Sequence, residues 1–490
     1  MEKIIKIMSF KITKLTAIIL AISLITVPVF AAPTDNSTSD EIKYSPKNLQ
    51  DKDAMQAEMD FYSGNDREAE LIFTGLIGKK DHDIALWNNQ LGSVYLTQGK
   101  LKEAKDAFME SYILMNDISA FKNLELRSVG LLSSEMTKGY KGDPYEKVFN
   151  SFYVGMLLYA DNDLENALAA FKNGILCDSD VTGKLYKSDV ALMYLMATRL
   201  ELMQKNQSMA DDFFKQATEA FYLSHPDNRL LVSQKQGFLD DLEKKQKELL
   251  EKEAKANIKL EKVITALKAE ISKLEADIKS TEEKIAENNR KIPIDTLKDF
   301  IDPNDNTLIC IETGRGPLKY QTGTYGEKTI FIIKPYPAVS FSITIDNFTQ
   351  IKAGAFLNHN DVFYQASTRG GRVMDSMLKG KAEFKKTTQD VSNILSTASQ
   401  IYDPYGVFAL LSFASGAVSN ATNPYADARH WSLLPAELQI ISLRLNPGAH
   451  QLQINAYDAT GKTIESSKIS VEITNTPNNV IFKRFRGVES

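Results

Sequence analysis

The feature that most limits what this chain can fold into is a helix–turn–helix pattern in residues 85–116. Gly92 is small enough to let a second helix approach closely, and Gly99 allows the tight turn between the two helices. Ala104 falls where the helices cross, and Phe108 fills the gap to the next pair. Because one such pair cannot bury its apolar face alone, the pattern predicts neighbouring pairs.

The same spacing recurs in other parts of the chain, once 35 residues upstream and twice downstream. These offsets are those of tetratricopeptide (TPR) repeats of about 34 residues. We therefore predict a TPR-like α-solenoid over residues 51–230, with a different array of helical hairpins as the alternative. The residues expected in the repeat core are Ala69, Phe73, Gly92, Tyr95, Ala104, Phe108, Gly155, Ala167, Phe171, Ala210 and Phe214.

The composition is that of an ordinary globular protein, with 43% hydrophobic residues, 25% charged residues and a net charge of −5. Without a basic excess, no nucleic-acid partner is expected. The five His residues show no metal-ligand spacing, so neither a metal nor a cofactor is predicted. Cys177 and Cys310 lie in different predicted domains, which favours two free thiols over one bridge.

The N-terminus has the pattern of a Sec-type signal peptide. Lysines precede an apolar run over residues 15–30, and small residues follow, which predicts a signal peptide over residues 1–32 cut after Ala31 or Ala32. A retained membrane anchor is the alternative. The absence of a following Cys argues against a bacterial lipid anchor. We expect an exported protein of the bacterial periplasm or cell surface, with a flexible lead-in over residues 33–50 and no later transmembrane segment.

Residues 234–292 carry apolar side chains at alternating spacings of four and three. The seam comprises Leu260, Ile264, Leu267, Ile271, Leu274, Ile278 and Ile285. This heptad pattern predicts one long coiled-coil helix, paired either in a homodimer or against another helix of the chain. The alternative is a solvated, charged helix that packs on its own domains.

Beyond Pro293, runs of β-branched and aromatic residues alternate with turn residues. They predict an antiparallel β-sandwich of about seven strands over residues 294–490, with helices inserted near 374–421. The expected fold class is therefore multidomain α + β: a TPR-like α-solenoid, a long heptad helix and a C-terminal β-sandwich.

Three separated motifs resemble a family of exported bacterial proteins that combine a TPR-like array with a C-terminal β domain. The motifs are GYKGDPYEKV at 139–148, ETGRGPLK at 312–319, and YADARHWSLLPAELQ at 425–439. The resemblance implies an architecture and no assigned biochemical activity. This chain departs from the family pattern because it lacks the lipobox Cys and because its long heptad segment is an insertion.

The repeat register also predicts which side chains face the inner, concave side of the array. They are Glu58, Phe61, Asn89, Ser93, Leu96, Phe152, Met156, Tyr159, Leu195, Arg199 and Leu202. Their mixture of aromatic, apolar and isolated charged groups suits an extended peptide or a helix of a protein partner. The alternative is that the chain's own heptad helix fills this face.

No catalytic motif is evident in the sequence. Asp427, Arg429 and Trp431 form a chemically varied cluster, which we interpret as a structural loop pinned by an Arg–Asp pair. His430 lies among them without a recognisable nucleophile or metal partner. The run AYDATGKT has Ala456 where a phosphate loop needs Gly, so it predicts a hairpin turn.

These observations favour a non-enzymatic exported scaffold that binds a protein partner through its TPR-like repeats. The alternative is an envelope-associated structural protein whose β-sandwich binds glycan or another envelope component. An enzyme acting through the Asp427–Trp431 region is the least favoured class, because the sequence supplies no partner for His430.

Overall fold

The computed structural model describes residues 52–116, 139–178, 189–254, 261–322, 328–334, 336–351, 357–368 and 426–487. This part of the chain is mixed α and β, with twelve helices and ten strands, and all of it belongs to one compact unit. The predicted signal peptide, the lead-in and the helical insertion near 374–421 lie outside the described residues.

Eight helices pack as four consecutive pairs, and each pair is joined by a turn of three residues. The helices are α1 (Lys52–Tyr62), α2 (Asp66–Gly78), α3 (Ile84–Thr97), α4 (Leu101–Asn116), α5 (Pro144–Ala160), α6 (Leu164–Asp178), α7 (Ala191–Met203) and α8 (Gln207–Ser224). Neighbouring pairs also touch, through α2 with α3, α4 with α5, and α6 with α7. The pairs therefore form one continuous stack, here called the helical array.

The turns inside the four pairs share one backbone geometry. The middle residue is left-handed in each, with φ of 87° at Gly64, 72° at Gly99, 63° at Asn162 and 62° at Lys205. The next amide then donates to the carbonyl five residues earlier, at 2.8–2.9 Å, which is the bond of a Schellman cap. Two of the turns thus use Asn or Lys where a Gly signal would be expected, because the hydrogen bonds hold the same conformation.

Small residues set the distance between paired helices. One alanine near the start of each second helix donates its N–H to the last turn residue and is at most 1% exposed. These alanines are Ala69, Ala104, Ala167 and Ala210. In the first helix, a Cβ on Gly92 would lie 2.5 Å from the Phe108 ring, and one on Gly155 would lie 2.7 Å from the Phe171 ring. Glycine is therefore required at both close approaches.

We expect Gly92→Ala to destabilise the protein by about 1–3 kcal/mol, because the added methyl group overlaps a ring fixed inside the core. Gly75→Ala is the matched control, since a Cβ at this helical position of α2 meets nothing within 4 Å. Higher helix propensity should make that control neutral or more stable by up to about 1 kcal/mol. Urea unfolding of both variants measures the difference, and equal effects would contradict the close approach.

The heptad segment forms two helices, α9 (Pro226–Glu253) and α10 (Glu261–Asn289), which corrects the prediction of one long helix. They pack side by side in opposite directions, with ion pairs from Lys235 to Glu282 at 2.8 Å and from Lys245 to Glu270 at 2.6 Å. Of the predicted seam, Leu267, Ile271 and Ile285 are buried on α10 and its other described residues are partly buried, whereas Leu260 lies outside the described residues. The heptad pattern thus identified the contact face, and α9 supplies the partner within the chain.

The strands form a four-stranded sheet in the order β10-β1-β7-β6, a two-stranded sheet β2-β3 and a second four-stranded sheet β5-β4-β8-β9. The strands are β1 (Thr307–Thr313), β2 (Arg315–Thr322), β3 (Lys328–Lys334), β4 (Ser340–Ile345), β5 (Thr349–Ile351), β6 (Leu357–Asp361), β7 (Glu437–Leu443), β8 (Gly448–Tyr457), β9 (Thr463–Ile473) and β10 (Asn479–Phe485). Two short helices, α11 (Asp295–Phe300) and α12 (Val362–Thr368), accompany them. Because β1 pairs with β10 in parallel, the prediction of a wholly antiparallel domain was wrong at this pair.

The first four-stranded sheet is buried on both faces. Ile309 and Ile311 of β1 belong to an apolar core shared with the second four-stranded sheet. Leu308 and Cys310, which point to the opposite face, belong to the same apolar core as the helical array. The strand domain (residues 295–368 and 426–487) and the array therefore share one core. Neither Cys177 nor Cys310 forms a disulfide bond in the described part of the chain. None of the described helices has the length and apolarity needed to cross a membrane.

Candidate functional site

The inner face of the helical array, predicted as an open partner-binding surface, is covered by the chain itself. Ten of its eleven predicted residues are buried, and Leu202 is partly buried. The contacts come from the strand domain, so the alternative that named the heptad helix as occupant is also corrected. For example, the Arg315 guanidinium at the start of β2 forms an ion pair with Glu58, and the Tyr159 hydroxyl donates to the carbonyl of Pro477 at 3.2 Å.

A segment of the strand domain without helix or strand, residues 426–434, lies in this face and is here called the junction segment. The first helices of three pairs hold its backbone and side chains. The Tyr62 hydroxyl donates to the carbonyl of Ser432 at 2.9 Å, and the amide of Leu433 donates to Gln90 at 3.1 Å. The amide of Trp431 donates to a carboxylate oxygen of α5 at 2.6 Å. Side chains of the helical array therefore bind the backbone of the junction segment directly.

Trp431 is the apolar centre of the junction segment. It is 1% exposed, and its indole N–H donates to the Ser93 hydroxyl at 3.0 Å. Its ring lies 5.5 Å from that of Phe108 and 5.7 Å from that of Tyr153, measured between centroids. The rings of Phe108 and Tyr153 stack at 5.0 Å. Trp431 therefore inserts into a cluster that also contains a repeat-core phenylalanine.

Arg429 forms the ion pair that the sequence predicts, and a further one that it does not. Its guanidinium donates to Asp427 at 2.7 and 2.9 Å within the junction segment. It also donates to Asp83 at 2.5 Å, immediately before α3. The buried arginine thus bridges the junction segment and the helical array, which is a structural role consistent with its strong, directional donors.

Glu146 of α5 is a fully buried carboxylate at the centre of this junction. It accepts the amide of Asp143 at 2.6 Å in a capping box and also the amide of Trp431. Burial, and then the nearby Asp143 charge, raises the pKa of Glu146 to about 7. The positive charge of Lys319 of β2, which pairs with Asp143 at 2.5 Å, lowers the pKa of Glu146 and so partly offsets this effect.

His430 is the buried histidine of the junction segment. Its Nδ1 lies 3.0 Å from the carbonyl of Ala428, which accepts a hydrogen bond from it. Burial lowers the pKa of His430 to about 4, so the ring is neutral at physiological pH. In this neutral form it packs between the array and the strand domain without an uncompensated charge.

Two further polar clusters connect the helical array and the strand domain. Glu312 of β1 accepts the Tyr153 hydroxyl at 2.5 Å and lies 3.4 Å from the guanidinium of Arg484. Arg199 of α7 donates to the carbonyls of Phe300, Asp302 and Asp305 at 2.5–2.9 Å. Arg199, predicted as a partner-binding residue, therefore fixes the start of the strand domain.

The three motifs that carry the family resemblance converge at this junction. The motif at 139–148 supplies Asp143 and Glu146, the motif at 312–319 supplies Glu312 and Lys319, and the third supplies most of the junction segment. The acidic and basic residues of these motifs are complementary in charge, which could have predicted from sequence that the motifs lie close together. Asp83 and Gln90, which bind the junction segment, were missed, since isolated polar residues just before or within a helix give no such signal.

No group of His, Cys, Asp and Glu in the described ranges is arranged to hold a metal ion. Residues 456–463, weighed above as a phosphate loop, comprise the end of β8, the connecting turn at 458–462 and the first residue of β9. A scan of protein-family models, a search of curated proteins and a search of solved structures each found no match to this chain.

Proposed function

We propose that this chain is an exported, non-enzymatic scaffold that binds a protein partner, with a TPR-like array packed on a β-sandwich domain. The observation that carries the proposal is the repetition of one hairpin, with the same turn and the same crossing alanine, in four copies. Stacked hairpins of this kind provide extended surfaces for proteins. The way the array holds the junction segment, by hydrogen bonds to its backbone, supports the same mode of recognition.

The partner surface that we propose is the arm formed by α9 and α10, because the inner face is already occupied. The helices are 28 and 29 residues long, which corresponds to about 42 Å each. They pack mainly on each other, and the base is held by Asn228, which donates to the carbonyl of Tyr222. At the opposite end Leu250 and Val263 are 68% and 41% exposed. Apolar groups at the end of a charged arm are suited to a protein contact.

The test is recovery of the partner from an envelope extract of the producing bacterium, with purified residues 33–490 as bait. We expect Leu250→Glu with Val263→Lys to reduce recovery of a specific protein about tenfold, as loss of an apolar contact centre does. Leu71→Glu is the matched control, because Leu71 is an equally exposed leucine on α2, outside the arm. A partner that the arm variant retains and the control loses would refute the arm as the binding surface.

A further inference from the structure

A cavity of about 590 Å³ lies where the helical array meets the edge of the strand domain. Its walls come from the turn between α1 and α2, the last residue of α3, and strands β9 and β10 with the residues that follow β10. This volume is within the range of small-molecule sites, about 300–1,000 Å³. None of the predictions from sequence placed a site here.

The acidic groups in the cavity wall already have donors. Arg486 donates to the Asp66 carboxylate at 2.8 Å and to the carbonyl of Phe61 at 2.7 Å. Glu465 accepts the Tyr336 hydroxyl at 3.0 Å. The ion pair with Arg486 neutralises Asp66, whereas Glu465 keeps its charge, because the Tyr336 hydroxyl is a neutral donor.

Lys483 of β10, by contrast, lines the cavity without an acceptor. Within the described part of the chain its ammonium group makes no hydrogen bond and no ion pair. The Nζ atom lies 5.6 Å from the centroid of the Phe485 ring. Burial lowers the pKa of Lys483; the nearby charge of Glu465 offsets part of this effect, and the charge of Arg486 adds to it. A half-buried ammonium group in this position is stabilised by an anion.

We propose that the cavity binds a small organic monocarboxylate, whose carboxylate group pairs with Lys483. A single negative charge suits this ammonium group, because Glu465 lies near enough to influence its pKa but no described carboxylate forms an ion pair with it. A phosphate dianion would place a second charge beside Asp66 and Glu465, at a Coulombic cost. Phe482 and Tyr62, which also line the cavity, supply aromatic surface for the apolar part of the ligand.

The experiment uses three probes that share one ring: benzoate, neutral benzamide and dianionic phenyl phosphate. Calorimetric titration of the full mature chain should show benzoate binding at least about tenfold more tightly than the other two, because a hydrogen bond to a charged group is involved. Equal affinity for benzoate and benzamide, or tighter binding of phenyl phosphate, would overturn the proposal. So would the absence of detectable binding by any probe.

Two variants test the assigned residue. We expect Lys483→Gln to weaken benzoate binding about tenfold, whereas Lys462→Gln, at an exposed lysine in the turn after β8, leaves it unchanged. Ser63→Phe, in the exposed turn that lines the cavity, should block benzoate while every charge remains. Unfolding curves confirm that each variant is folded. Unchanged benzoate affinity in both Lys483→Gln and Ser63→Phe would place the binding elsewhere.

Discussion

Trp431→Ala is expected to lower the free energy of unfolding by about 3–5 kcal/mol, the largest effect of any single substitution considered. The change removes a fully buried ring that packs against both Phe108 and Tyr153, and it leaves the Ser93 hydroxyl without its indole donor. The lost ring lies between the helical array and the strand domain, so its removal weakens the packing of these two parts against each other. Because the chain has two tryptophans, Trp87 in α3 remains as a fluorescence reporter of the array.

Two further variants separate packing from hydrogen bonding. Trp431→Phe keeps an aromatic ring and loses the indole N–H, so we expect a smaller loss, with about 1 kcal/mol of it from the bond. Phe348→Ala, at an aromatic side chain that is 91% exposed, is the matched control and should change stability by less than about 0.5 kcal/mol. Urea unfolding followed by tryptophan fluorescence and by circular dichroism measures all three. A loss below about 1 kcal/mol in Trp431→Ala would mean that the junction segment does not hold the two parts together.

The helical hairpins were predictable because their determinants are local. A glycine at a close approach, an alanine at the crossing and an aromatic residue beyond it recur at fixed offsets, so their periodicity is visible in sequence. Gly92 and Phe108 illustrate this, since the structure places them in direct contact. The turns at Asn162 and Lys205 were less visible, because a hydrogen-bonded cap imposes a left-handed residue without requiring Gly.

The covering of the inner face was not predictable from the same pattern. A buried surface within the chain and a surface for a foreign peptide both need apolar residues with occasional polar groups, so Asn89 or Tyr159 fits either. The decisive contacts join residues hundreds of positions apart, such as Gln90 with Ser432. The division of the heptad segment into two antiparallel helices was not predicted for a different reason. Residues 255–260 contain neither Gly nor Pro, so the sequence shows no sign of a helix break there.

The parallel pairing of β1 with β10 was also beyond the sequence. These strands are the first and last of the domain, and their register aligns Thr307 with Asn479. Each has the short β-branched pattern of a buried strand, which does not specify direction or neighbour. The charges at the junction were the sequence signal that could have been used. Asp143 and Lys319 lie in separate motifs, and a buried charge is stable only when it is paired with an opposite one.

Stability should depend on pH through Glu146, in the direction opposite to most carboxylates. Its pKa in the folded chain is about 7, above the ordinary value of 4.5. Between these values the unfolded chain loses the proton first, so the free energy of unfolding falls as pH rises. This pKa shift corresponds to a stabilisation of about 3 kcal/mol in total. The stabilisation is fully present below pH 4.5 and is lost above pH 7.

His430 should oppose this dependence. Its pKa in the folded chain is about 4, below the ordinary value of 6.5. The unfolded chain therefore takes up the proton first as pH falls, and about 3 kcal/mol of stability present above pH 6.5 is lost by pH 4. The two contributions have opposite slopes between pH 4.5 and 6.5, so we expect them to cancel there in the unaltered protein.

Single substitutions should reveal the two opposing pH dependences of the free energy of unfolding. Relative to the unaltered protein, Glu146→Gln should gain about 3 kcal/mol of stability as pH rises from 4.5 to 7. Any stability lost because Gln binds the amides of Trp431 and Asp143 less well does not change this pH dependence. Relative to the same reference, His430→Asn should lose about 3 kcal/mol as pH rises from 4 to 6.5, while its amide preserves the bond to Ala428. Urea unfolding at half-unit pH intervals gives these difference curves, in which other titrating groups cancel. Difference curves that stay flat would show that neither residue is buried at the junction in the ionisation state described.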